Sequence, residues 1–334
     1  MNGLSLGDLA NSFMLQQRGS ALKIEMARLT QELTSGQVSD VKNVVAGNYS
    51  YLTDIETGLL ALKGHKIATT DASQFTGAMQ SVLGKVQDDA MGFATDLITV
   101  SSGGLDSVSV QAGNEALEVL KSTIGALNTN IAGRSLFAGA ATDTAPLASA
   151  DDIMGELRTI LTGVAGVAPK MAVIQGWFDD PAGFEALIYR GSDREISPFE
   201  LSELETVSVD VKAIDPALKE TLKNLTLAAV TADVALNVNA IERRALLLAA
   251  GEGLLTNQED LSAVRAKVGY LEARIENAAT RNASENLSLQ YARGSLLGAD
   301  PYETATRLEE VQFQLQSLYA VTVKSSQLSL VNFL

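Results

Sequence analysis

Apolar residues at both ends of this chain recur at alternating steps of four and three. Near the start, Leu15, Gly19, Leu22, Met26, Leu29 and Leu33 form such a stripe. Near the end, Leu308, Val311, Leu315 and Leu318 form another. The apolar character then continues through Leu328, Leu330, Val331, Phe333 and Leu334. A stripe this narrow covers one side of an α-helix and suits a bundle or a coiled coil. Chain ends are usually polar and frayed, so an apolar end needs something to cover it.

Similar stripes run through the interior. They include Leu52, Ile55, Leu59 and Leu62, then Phe75, Met79, Val82, Val86, Ala90, Phe93, Leu97 and Val100. Leu117, Leu120, Ile124, Leu127 and Ile131 follow, and later Leu261, Val264, Val268, Leu271, Ile275 and Ala278. These read as the internal core of a helical body. Hydrophobic residues make up 46% of the 334 residues but aromatics only 5%, so the packing is Ala, Leu and Val. That composition favours thin bundles over a large mixed core.

The pattern breaks in the middle. Pro146, Pro169, Pro181, Pro198 and Pro216 fall there, five of the six prolines, together with the single Trp177. Proline interrupts helix and sheet interiors and marks a change of architecture. The run VSVDV (207–211) alternates as a strand does. The expected fold class is therefore mainly α: a discontinuous long-helix bundle with paired coiled-coil termini and an inserted small mixed, β-containing domain. The expected segments are an N-terminal arm (1–40), the first half of a helical body (41–133), an inserted outer domain (134–216), the second half of the body (217–299) and a C-terminal arm (300–334).

Helix starts are legible at Asp180-Pro181, Asp215-Pro216 and Asp300-Pro301, where Asp caps and Pro takes the first helical position. Glu303 sits where a capping box would place it. The last helix should start at 301.

Charge is unevenly placed. Residues 134–216 carry 14 acidic and 6 basic residues, whereas 1–36 carry three of each. The net charge of −15 argues against nucleic acid, whose phosphates need a basic surface. No run reaches the roughly 20 apolar residues of a membrane helix, so no membrane insertion is expected. The absence of cysteine excludes disulfides and thiolate sites.

Chemistry is sparse. His65 lies between lysines, with no implied carboxylate partner. Asp88-Asp89 and Asp151-Asp152 read as solvated charge, so no metal or cofactor is expected. An enzymatic alternative would rest on Arg190, Asp193, Arg194 and Glu195, which surface ion pairing explains equally well.

Three stretches carry a family resemblance. LTQELTSGQ (29–37) resembles the end of the first helix of the flagellin family, and 302–334 resembles its last helix with the closing LSLVNFL. NTNIAGRSLFAGAATDTAPL (128–147) is similar to a stretch of family members that join the flagellar hook to the filament. Its key positions are Gly133, Arg134, Leu136, Phe137 and Gly139, and DPAL (215–218) matches a return point into the body. One departure is that VSDVKNVVAGNYS stands where the family often has Asp-Asp-Pro.

The resemblance implies a structural adaptor and not an enzyme. Its partners would be copies of itself in a ring, hook-associated protein 1, flagellin, the flagellar export apparatus and a dedicated export chaperone. A flagellin filament subunit is the alternative. Export would be extracellular, without a cleaved signal peptide, and a chain without cysteine suits threading. The terminal stripes, Leu15 to Leu33 and Leu308 to Leu334, would be the assembly interface, ordering on polymerisation.

Overall fold

The computed structural model describes residues 4–103 and 105–331. The protein is mainly α, with two small two-stranded sheets. By packing it divides into two units, Gly64–Asn282 and Met1–Lys63 with Ala283–Leu334. Two long helices, α3 (Ser50–Ser102) and α10 (Gln258–Leu297), contribute residues to both.

In the unit 64–282, α3 packs with α4 (Asp106–Leu127), α8 (Pro216–Ala229), α9 (Ala240–Thr256) and α10 around one apolar core. The interior stripe works as expected: Phe75, Met79, Val86, Ala90, Phe93 and Leu97 are all buried. On α4, Ala112, Ala116, Leu120, Ile124 and Leu127 are buried at helical spacing. Short side chains let the neighbouring α8 approach closely.

Helix α8 starts as its sequence indicates, with Asp215 accepting the Ala217 N–H at 3.2 Å and Pro216 at the first position. It is buried along most of its length, so its polar groups must find partners. Thr221 and Thr226 donate to the carbonyls of Ala217 and Leu222. Asn257, at the end of α9, donates from Nδ2 to Ala217 O at 2.7 Å and to Thr221 Oγ1 at 2.8 Å.

The stretch between α4 and α8 is more helical than its prolines suggest. It holds hairpin β1 (Asn130–Ile131) with β2 (Arg134–Ser135), then α5 (Ala150–Leu161) and α6 (Val167–Asp179). One wide π turn (Pro181–Glu185) leads into the short α7 (Ala186–Ile188). A second antiparallel hairpin follows, β3 (Phe199–Ser202) with β4 (Glu205–Val207). Prolines stand at or near helix starts here: Pro169 in the first turn of α6 and Pro181 at the head of the π turn. In VSVDV only Val207 lies in a strand, yet Val207, Val209 and Val211 are all buried. The alternation reports burial of every second side chain, not a continued ladder. Trp177, Phe178 and Phe184 form an aromatic cluster, Phe178 and Phe184 stacked at 4.7 Å.

In the other unit, α1 (Leu4–Ser35) packs against α11 (Pro301–Val331), with the short α2 (Val41–Val44) nearby in sequence. Helix α11 begins at Pro301, as expected. Asp300 Oδ1 accepts the N–H groups of Tyr302 at 2.9 Å and Glu303 at 3.1 Å. The Glu303 carboxylate pairs with Arg307 at 2.9 Å.

One buried ion pair ties α6 to α9. Lys170, 3% exposed, lies 3.3 Å from Glu242, whose other oxygen accepts the Gly166 N–H at 3.0 Å. Burial pushes the Glu242 carboxyl up, but the Lys170 ammonium and the N–H donors outweigh it and hold it below the usual carboxylate range. A lowered acid contributes stability that is present above its ordinary pKa and is lost as pH falls through the folded value. Glu242→Gln leaves a buried ammonium without its counter-charge and should cost about 3 kcal/mol in urea unfolding. The variant should also flatten the acid side of the stability–pH profile. An unchanged urea midpoint and an unchanged acid limb would show that the pair contributes nothing.

Candidate assembly surfaces

The two terminal helices run antiparallel and meet at a backbone clasp. Gly36 follows α1 with φ +67°, a left-handed value that glycine adopts without strain. Its carbonyl accepts from Ala299 N at 3.0 Å, and Val38 N donates to Leu297 O at 2.8 Å. Gln37 bridges to Gly298 between them. The Ser-Gly turn thus joins the link between α10 and α11.

From the clasp outward the seam is unevenly buried. Leu29 and Val311 are buried, at 1% and 9% exposure. Leu15, Leu22, Met26, Leu308, Leu315 and Leu318 are half-buried, and Leu33 is exposed. Gly19 faces Leu318, and Lys23 Nζ lies 5.9 Å from the Tyr319 ring centre. Leu328 and Leu330 lie within α11, but their side chains fall outside the described residues, as do Phe333 and Leu334.

Heptad reading missed a second set. Phe13, Met14 and Ile24 on α1, and Phe313, Val321 and Val323 on α11, are all more than half exposed. They are apolar residues off the four-three stripe, and that departure was their legible signal. Each arm therefore has a covered seam and an uncovered apolar face. Tyr291 and Leu287 on α10 are exposed as well.

The Gly133–Gly139 motif has a different task. Ala132 and Gly133 turn the chain between β1 and β2. Arg134 then lays its guanidinium over two rings, 5.4 Å from the centre of Phe75 and 5.3 Å from that of Phe199. Its Nη1 also reaches Asp71 at 2.7 Å. Leu136 and Phe137 are buried. Phe137 O accepts from Ala213 N at 2.9 Å, directly before the return at 215–218. Ala138 O accepts from Ser192 N, and Ala140 N donates to Arg194 O, both at 2.9 Å. The motif thus bonds the exit of the 134–216 segment to its return.

Three of the four residues of the enzymatic alternative take part in this framework, Asp193 and Arg194 through their backbones. Arg194 uses its carbonyl, and the Asp193 carbonyl accepts from Lys212 at 2.7 Å. Arg190 N donates to Pro146 O at 2.8 Å, and its guanidinium lies 4.0 Å from Asp152. Asp152 is engaged in a capping box with Ser149, whose hydroxyl and N–H hold its carboxyl below the usual range. Asp89 pairs with Lys85. Among the described residues no three His, Cys, Asp or Glu groups could hold a metal. A shallow cleft of about 230 Å³ is lined by Val110, Asp233, Val234, Val238 and Arg243. Arg243 is spent there on Asp106, Thr231 O and Val238 O.

Apart from chemistry, the molecule offers terminal helices that present apolar faces. Residues 254–334 match the family model described as the bacterial flagellin C-terminal helical region. That match spans about a quarter of the chain, the last long helices α10 and α11. A solved structure, a candidate flagellar hook-associated protein from Vibrio parahaemolyticus, shares the fold at TM-score 0.53 and 12% identity. The match covers 73% of this chain and 95% of that one. No curated protein matches the sequence. No described helix is long and apolar enough to cross a membrane.

Gly139 gives the motif its sharpest test. Its φ is +61°, and a Cβ there would overlap the carbonyl oxygens of Ser192 and Arg194. Gly139→Ala should cost roughly 2–4 kcal/mol, combining left-handed strain with overpacking. A thermal melt within a degree of the wild type would show that the stitch tolerates a methyl group.

Proposed function

We propose that the protein is a junction adaptor of the bacterial flagellum, of the kind called hook-associated protein 3. It joins the hook, through hook-associated protein 1, to the flagellin filament. The observation that carries this reading is the pair of antiparallel terminal helices with apolar residues left on their outer faces. Covering a Leu or Phe contributes about 1.5–3 kcal/mol. Several such residues per arm offset the conformational entropy lost on ordering.

The arms 1–40 and 300–334 act as the polymerising elements, through Leu15, Leu22, Met26, Leu29 and Leu33 on one helix. Leu308, Val311, Leu315, Leu318, Leu328, Leu330, Phe333 and Leu334 act on the other. Copies of the chain form a ring at the hook–filament junction. The chain leaves the cell through the flagellar export apparatus, escorted by a dedicated chaperone and without a cleaved signal peptide. The lack of cysteine supports passage as an unfolded thread. The segment 134–216 faces water, in keeping with its 14 acidic residues.

A filament subunit is the second reading, since the matched C-terminal region is described as that of flagellin. The similarity to a hook-associated structure and the Gly133–Gly139 stretch favour the junction. Deleting the gene separates them. A junction protein leaves hooks in place and flagellin in the medium, and is a trace component of sheared flagella. Normal filaments in the deletion strain would falsify the junction reading; loss of the bulk filament protein itself would favour flagellin. Removing Leu328–Leu334 should leave a folded chain that is not incorporated. Wild-type incorporation of that truncation would mean the tail has no part in assembly.

A further inference from the structure

One body helix also carries an uncovered apolar strip. On α9, Leu246, Leu247, Ala250 and Leu254 are buried in the core of the 64–282 unit. On its other side Ile241, Leu248 and Leu255 follow one another at seven-residue steps and are 81%, 37% and 40% exposed. Seven residues are close to two helical turns, so the three side chains line up along the helix. Gly251, between Leu248 and Leu255, lies against the half-buried Ile98 of α3, which widens the strip.

Two charges flank this strip, and both lack a counter-charge. Arg244 makes no hydrogen bond or ion pair with any described residue, and its Nε is shut off from water. Its neighbour Arg243, by contrast, is engaged with Asp106, Thr231 O and Val238 O. Glu252 is exposed, and its carboxylate has no cation beside it among the described residues. The two stand eight residues apart, about 12 Å along the helix, too far to pair with each other.

Read outward from Leu248, the pattern is complementary to its own reverse. Arg244 lies four residues before Leu248 and Glu252 four after; Ile241 lies seven before and Leu255 seven after. Ala245 and Gly251, three residues to either side, are both small. We infer that two copies of the chain pair antiparallel through α9, about a two-fold axis at Leu248. Leu248 then meets its own copy, and Ile241 of each chain meets Leu255 of the other. Arg244 of each meets Glu252 of the other, so the ion pair forms twice. A parallel pairing would set Arg244 against Arg244 and Glu252 against Glu252, which like-charge repulsion opposes. A two-fold contact closes at two copies and does not by itself extend into a ring or a tube. It uses no residue of the terminal helices. One short helix per copy is a small interface, so the dimer is weak and exchanges quickly.

Sedimentation velocity of the full-length chain, from about 1 to 100 μM, tests the pairing. The expected result is a shift from monomer to dimer across that range. Arg244→Glu and Glu252→Arg each set like charges together at two places and should raise the dissociation constant at least about tenfold. Mixing the two variants restores opposite charges at both places, as does the double variant Arg244→Glu/Glu252→Arg, and each should bring the dimer back. A chain that stays monomeric throughout would overturn the inference. So would a dimer indifferent to both reversals, or a mixture that does not recover. The absence of cysteine allows an independent reading. Leu248→Cys puts a thiol on the axis and should oxidise readily to a linked dimer. Leu204→Cys, on the β3–β4 turn where Leu204 is 97% exposed, should not. Equal linkage at the two positions would count against a contact centred on Leu248.

Discussion

A helix with apolar residues on two faces cannot bury both against one neighbour. Helices α1 and α11 meet this constraint directly. Their shared seam covers Leu29 and Val311 and half-covers six other leucine and methionine positions, while Phe13, Ile24, Phe313 and Val323 point away from it. Apolar area removed from water is what stabilises such contacts. The second face of each arm is left exposed. Many polar groups of the chain are spent on caps, clasps and stitches.

The body solves a different problem, that of inserting a long excursion without loosening a helical core. Its answer is to bond the exit to the return. Phe137 O and Ala213 N close the excursion at its root, and Gly139 lets the 192–194 backbone press against the chain. Arg134 lays its charged plane over the contacting rings of Phe75 of α3 and Phe199 of β3. Cation–π contacts of this sort are worth about 0.5–1 kcal/mol each when exposed and more when shielded from water. The excursion also shares the body's core, through Ile153, Leu157, Phe178 and Phe184.

Much of this was legible in the sequence because helical periodicity is local. The stripe from Phe75 to Leu97 and the helix start at Pro301 follow from spacing and capping alone. The excursion was less legible. Its prolines read as breaks, but proline is also favoured at a helix start, and Pro169 and Pro181 stand there. The alternation of Val207, Val209 and Val211 read as strand, because period two marks alternate burial whether or not a partner strand exists. The motif at 133–139 drew notice through family resemblance, while its mechanical role depends on Ser192, Arg194 and Ala213. No local pattern links residues so far apart in sequence. The outer faces of the arms were overlooked because a heptad reading counts only residues on its own stripe.

Charge decides how those outer faces can work. The excess of acid lies mainly in 134–216, and the net −15 of the chain would oppose close approach if it were spread over the arms. Part of the arm charge is paired internally: Arg28 sits with Glu25 and Glu32, and Arg307 with Glu303. At physiological salt, charges more than about 8 Å apart are largely screened, so distant acids weigh little on arm-to-arm contact. Arg18, Lys23, Glu309, Glu310 and Lys324 stay exposed along the arms, with both signs present. In the assembly proposed above, register between neighbours would draw on the shapes of Phe13, Met14, Ile24 and Phe313 as well as on these charges. Non-directional apolar attraction supplies the affinity, and side-chain fit supplies the order. The antiparallel register of α1 against α11 would then set the pattern of knobs that each copy offers to the next in that proposed assembly.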